Sequence, residues 1–116
     1  HTFGHALETI GNNKLYTHGE AVALGMLAAT KLSESISDLD PKVFDRVHST
    51  IKNTGIKVKL KKKIFPKKLI KLMQSDKKKN NSQLKFILLE NIGKAKIKSV
   101  SNEVAIENAI KNSLFY

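Results

Sequence analysis

The sequence predicts a mainly α domain, a helical bundle of about five helices with a small antiparallel β hairpin. Three observations carry that expectation. Apolar residues recur at spacings of three and four in five separate stretches, most of them bounded by residues that start or stop helices. Leu84 to Leu89 and Lys94 to Lys98 instead flank Glu90-Asn-Ile-Gly93, as the arms of a hairpin with its turn around Asn91 to Gly93 would. A chain of 116 residues with 41% hydrophobic content suffices for one core and leaves no room for a second large domain, so residues 1–116 read as one unit.

The first helix spans Thr2 to about Ile10, with Phe3, Ala6, Leu7 and Ile10 on one face and Gly11-Asn12-Asn13 as its stop. The second runs from about His18 to Ser35. Its first three turns are apolar nearly all round, which is expected of a helix in the middle of a bundle, and Gly25 within it would admit a close neighbour. Asp40 and Pro41 open a third helix as N-cap and first helical residue; it carries Val43, Phe44, Val47 and Ile51 and ends near Asn53 to Gly55. Ile56 to Leu60 alternates apolar and basic residues, as a half-exposed extended segment does. Pro66 starts a short helix burying Leu69, Ile70, Leu72 and Met73, and Asp76 to Ser82 is expected to be a polar loop. The hairpin arms are Leu84 to Leu89 and Lys94 to Lys98. Ser101 is the expected cap of a last helix burying Val104, Ala105, Ala109, Ile110 and Leu114.

The net charge of +11 is regional, because most of the 21 basic residues lie between Lys52 and Lys98 while only Lys14 and Lys31 are basic before Pro41. Such a surface raises nucleic-acid binding through phosphate neutralisation. No arginine cluster or aromatic stacking set accompanies the lysines, so a solvated lysine-rich surface is the better reading. The absence of cysteine excludes disulfides and thiolate metal sites and is compatible with a reducing compartment, the cytoplasm by default. No leader-like opening and no apolar run near the roughly 18 residues of a membrane span occurs, so membrane association is not expected. A first residue that is His and not Met is expected of a processed or excised piece.

The chemistry concentrates at the start. Three of the four histidines, His1, His5 and His18, fall there together with Glu8 and Glu20. Imidazoles one helical turn apart can meet one divalent ion, and a histidine opening the next helix can supply another ligand, although the pattern is not HExxH and a hydrogen-bonded structural cluster satisfies the same spacing. Glu8 could orient a histidine or form a surface ion pair. His18-Gly19-Glu20 begins a helix, where the dipole favours an anionic group, yet Glu20 could equally be an ordinary first-turn carboxylate. His48 reads as a surface residue. Lys77 and Lys78 could contact a phosphate as point charges or could be solvated loop lysines.

His1-Thr-Phe-Gly-His5-Ala-Leu-Glu8, then His18-Gly-Glu-Ala-Val-Ala-Leu-Gly-Met26, then Asp76-Lys-Lys78 before Phe86-Ile-Leu-Leu89 and Ile92-Gly93, resemble in order the C-terminal half of the 3-dehydroquinate synthases. The resemblance covers essentially the whole chain, and its first two motifs together are specific. It implies that residues 1–116 are the C-terminal helical metal- and substrate-binding domain of a two-domain lyase of the shikimate pathway of aromatic amino acid biosynthesis, whose N-terminal NAD-binding domain lies outside this chain. In that family the substrate is the sugar phosphate 3-deoxy-D-arabino-heptulosonate 7-phosphate and the products are 3-dehydroquinate and phosphate. The steps are transient oxidation by NAD, phosphate elimination, re-reduction, ring opening and aldol closure. The metal is zinc or cobalt, held by one glutamate and two histidines, and the intact enzyme is expected to be a homodimer.

Transferred onto this sequence, the resemblance assigns metal ligation to His1 and His18. It gives His5 proton transfer beside the substrate phosphate, and phosphate contact to Lys77 or Lys78. The glutamate ligand, the glycine-rich nucleotide turn and an asparagine expected just before His1 are absent, and Lys79 with Asn80-Asn81-Ser82 stands where the family often has a glycine-containing turn. The piece alone is therefore expected to bind zinc weakly and to lack synthase activity. Related sugar-phosphate cyclases and metal-dependent polyol dehydrogenases share the layout and are the first alternative. A basic nucleic-acid-binding module is the lesser one.

Overall fold

The computed structural model describes residues 1–79 and 84–114, with side chains described for all of these except 76–79. Five helices and one hairpin follow in the order α1 (Thr2–Ile10), α2 (His18–Ile36), α3 (Pro41–Asn53), α4 (Pro66–Lys79), β1 (Lys85–Asn91), β2 (Lys94–Ser99) and α5 (Glu103–Ser113). The expected mainly α class and the hairpin are both present.

Helix α2 is the axis of the fold, packed against α1, α3, α5 and β1, while α4 lies against α1 and α5. Its start is sharply defined. Thr17 accepts the Glu20 backbone N–H through its hydroxyl, and the Glu20 carboxylate accepts the Thr17 N–H in return, which makes a complete capping box. The core around it is aliphatic: Leu7, Leu24, Leu27, Leu32, Leu69, Met73, Leu88, Ile106 and Ile110 are almost wholly excluded from water. Each such side chain contributes roughly 1.5–3 kcal/mol of burial free energy. Phe3 and Phe86, with ring centroids 5.1 Å apart, join α1 to the hairpin.

The turn after α1 works as its residues suggest, since Asn12 and Asn13 take φ of 52° and 60°, a left-handed backbone that asparagine tolerates better than most residues. Asp40 caps α3 by accepting the Lys42 N–H at 3.0 Å, with Pro41 at the first helical position. Ile56 to Leu60 has the expected alternation, with Val58 and Leu60 buried and Lys57 and Lys59 exposed.

The hairpin is antiparallel, pairing Phe86 with Lys98, Ile87 with Ile97 and Leu88 with Lys96, with a register shift between Leu89 and Asn91. Gly93 turns it with φ of 81°, a conformation that favours glycine. Two side chains fasten the hairpin to the helices. The Thr2 hydroxyl donates to the Lys85 carbonyl at 2.6 Å, and the buried Ser33 hydroxyl accepts the Leu89 N–H at 2.9 Å while donating to the Ala29 carbonyl.

Four expectations need correction. Helix α4 continues through Asp76 to Lys79, where a loop was expected, because no glycine or proline interrupts it and the lysines after Asp76 are good helix formers. Helix α5 is capped by Asn102, whose side chain accepts the Ala105 N–H, and not by Ser101. Its buried stripe therefore runs through Ala105, Ile106, Ala109, Ile110 and Ser113, which turns Val104 out to 67% exposure. Helix α2 is not covered all round, since Met26 is half exposed and Val22 and Ala29 are only partly buried.

Candidate active site

Two glycines determine how α1 and α2 meet. A Cβ on Gly25 would lie 3.1 Å from the Gly4 backbone nitrogen and 3.5 Å from the Phe3 Cβ, and one on Gly4 would lie 3.3 Å from the Ala21 carbonyl oxygen. The two backbones therefore approach more closely than a Cβ at either position would ordinarily allow. The first turn of α1 thus lies against the first half of α2, and the rings of His1 and His18 come together there.

His1, at the N-cap position of α1 with no side-chain capping bond, and His18, the first residue of α2, hold their rings 5.8 Å apart between centroids and within 19° of parallel. His5 lies one turn along α1 from His1, with its ring centroid 5.2 Å away and tilted by 44°. All three residues are exposed. The structure thus assembles in space the three histidines that the sequence grouped. His48 is elsewhere, half-buried on α3 with its ring against Phe44.

The two carboxylates divide. Glu8 stays with the histidines, its Oε1 3.0 Å from His18 Nδ1. Glu20 is engaged in structure: it completes the capping box and accepts from Lys61 Nζ at 3.1 Å. The Thr17 N–H first, and the Lys61 ammonium second, hold the Glu20 carboxyl below the ordinary glutamate value. Lys61 also donates to the Leu15 carbonyl at 2.7 Å, and its backbone N–H donates to the Tyr16 hydroxyl at 3.0 Å. The start of α2 thus already carries a carboxylate of its own, and that opening is less free for an outside anion than the sequence implied. Lys61 went unnoticed in the sequence because it stands in a run of three lysines that reads as plain surface.

Imidazole donors suit zinc and cobalt, and His1 and His18 are two such donors, water-accessible and with ring centroids 5.8 Å apart. Among the described residues no group of three or more His, Cys, Asp and Glu could hold an ion, so further ligands would have to come from elsewhere. The side chains of Asp76, Lys77 and Lys78 lie outside the described ones.

Beside His1 opens a largely apolar hollow of about 520 Å³, lined by Val22 and Met26 of α2 and by Ile87 and Ile97 of the hairpin among others. Met26, Ile87 and Ile97 are 51%, 61% and 67% exposed. Sequence reasoning missed this surface, although the unbroken apolar run Phe86-Ile-Leu-Leu89 is a signal of a strand with something to cover on both faces.

The sequence model of the family described as 3-dehydroquinate synthase C-terminal matches residues 1–79, which include both histidine motifs. The chain belongs to the 3-dehydroquinate synthase family. It is similar to the 3-dehydroquinate synthase of Clostridium tetani, 40% identical over 114 residues that make up 98% of this chain and 30% of that protein. It is likewise similar to that of Thermoanaerobacter pseudethanolicus, 36% identical over 89% of the chain and 29% of the relative, and to that of Nitrosomonas europaea, 42% identical over 82% and 26%. The chain thus spans about 30% of the length of these relatives. Within this 3-dehydroquinate synthase domain, His1, His5 and His18 all lie in the matched part, at the single place where α1 and α2 converge. No helix among the described residues is long and apolar enough to cross a membrane.

Proposed function

We propose that this chain supplies the metal- and phosphate-handling wall of a 3-dehydroquinate synthase active site, and that the intact polypeptide converts 3-deoxy-D-arabino-heptulosonate 7-phosphate to 3-dehydroquinate and phosphate. The observation that carries the reading is the convergence of His1, His5 and His18, with ring centroids 5.2 and 5.8 Å from that of His1. Within it, His1 and His18 hold zinc or cobalt, and the chemistry such an ion supplies when bound is polarisation of the substrate's hydroxyl and ketone oxygens. His5 is left outside the ligand pair. It is exposed, one turn from His1, and imidazole exchanges a proton near neutral pH, so it takes and returns the proton beside the departing phosphate. Lys77 or Lys78 adds a point charge to that phosphate.

The described residues do not fit NAD. A dinucleotide site needs a strand running into a glycine-rich turn and a helix N-terminus, whereas the strands described here pair only with each other in a hairpin. NAD therefore falls to the length that the relatives have beyond this domain, as does the third metal ligand. That same length, in a cytoplasmic homodimer, covers the bare apolar line of Met26, Ile87 and Ile97.

Zinc titration of the chain tests the ligand assignment. Weak binding is expected, lost in His1→Ala and His18→Ala and retained in His5→Ala. Equal binding by all three variants would remove the proposed pair.

A further inference from the structure

A histidine ligand offers a metal only one of two ring nitrogens, and which one it offers depends on what the other is doing. In His18 the Nδ1 atom lies 3.0 Å from Oε1 of Glu8, two turns along α1 from His1. The Glu8 side chain is 20% exposed and that of His18 is 64% exposed, so the more sheltered carboxylate anchors the more open ring. An ionised carboxylate only accepts, so in the neutral ring this contact favours the hydrogen on Nδ1 and the lone pair on Nε2. Among the described residues no lysine or arginine pairs with Glu8, and its ion-pair partner there is His18. It reaches His18 because α1 and α2 touch at Gly4 and Gly25, which places the second turn of α1 beside the start of α2.

We infer that Glu8 is a positioning residue: it fixes His18 in the Nδ1–H tautomer and holds the ring so that Nε2 is its metal-binding atom. The inference rests on the reading of His18 as a ligand. It adds a residue that touches neither metal nor substrate and acts only through the imidazole, in the manner of carboxylates that orient metal-bound histidines in general.

The test uses the 116-residue chain with ¹⁵N-labelled histidine, observed by two-bond ¹⁵N–¹H correlation at about pH 8.5, where imidazole is neutral. In the unaltered chain His18 shows a protonated Nδ1 and an unprotonated Nε2. Glu8→Ala and Glu8→Leu, neither of which can accept, shift His18 toward the Nε2–H form, whereas Glu8→Gln, whose amide oxygen can accept, keeps the original pattern. Zinc affinity measured on the same samples falls about 10–100-fold in the two non-accepting variants and recovers in Glu8→Gln. An unchanged tautomer and unchanged zinc affinity in folded Glu8→Ala or Glu8→Leu, with zinc binding lost in His18→Ala, overturns the role of Glu8 and leaves the ligand reading standing. Zinc binding that survives His18→Ala overturns the ligand reading and the metal role of Glu8 with it.

Discussion

Substituting Gly25 by alanine probes the contact that brings the histidines together. The added Cβ would sit 3.1 Å from the Gly4 backbone nitrogen, inside ordinary van der Waals contact, so α1 must withdraw by a few tenths of an ångström from a neighbour that is backbone and cannot rotate away. Overpacking of this kind costs about 1–3 kcal/mol. Alanine returns about 1 kcal/mol in helix propensity, which leaves a net loss of about 0–2 kcal/mol. Gly19→Ala on the same helix is the control, because a Cβ there meets nothing within 4 Å and only the propensity gain applies. For a domain of this size 1 kcal/mol moves Tm by roughly 4 °C, so Gly25→Ala should melt roughly 4–12 °C below Gly19→Ala in a circular dichroism scan. Gly25→Ala melting level with or above Gly19→Ala would refute the claim that these glycines set the spacing between α1 and α2.

Three further outcomes are expected. Ser33→Ala leaves the Leu89 N–H without its acceptor and should destabilise the chain by about 1–3 kcal/mol in urea, with faster amide exchange at Leu89. The lowered pKa of Glu20 has a definite sign: its capping and Lys61 contacts stabilise the fold above the ordinary glutamate value of 4.5, and that contribution disappears as pH falls below it through the folded-state value. An acid titration of stability should therefore lose part of its slope below about pH 4.5 in Glu20→Gln. Met26→Gln should change the stability of the chain by less than about 0.5 kcal/mol, because the residue is half exposed, yet weaken association with the remaining length of the enzyme in a binding titration.

What the sequence made legible follows the strength of local signals. Asp40-Pro41 bounds α3 at its start, and Gly11-Asn12-Asn13 ends α1, because capping and left-handed turns depend on a few adjacent residues. The same sequence did not mark the end of α4, where no glycine or proline punctuates the lysine run, nor the cap of α5, where Ser101 and Asn102 compete for one role. For the site, the grouping of His1, His5 and His18 was visible as spacing, and their convergence depends on a helix crossing at Gly4 and Gly25 of which only Gly25 drew attention. The Glu20–Lys61 contact is tertiary, joining residues far apart in the chain, and no local pattern encodes it, whereas the Met26, Ile87 and Ile97 surface has one local trace, the apolar run Phe86 to Leu89.

The central claim is that this chain is one wall of a synthase active site. It is tested most directly by joining the chain to the N-terminal domain of a relative such as that of Clostridium tetani and measuring phosphate released from 3-deoxy-D-arabino-heptulosonate 7-phosphate with NAD and zinc. The account predicts release by the joined protein, loss of release in His1→Ala, His5→Ala and His18→Ala, and none from the chain alone. A folded, zinc- and NAD-loaded joined protein that releases no phosphate would contradict it.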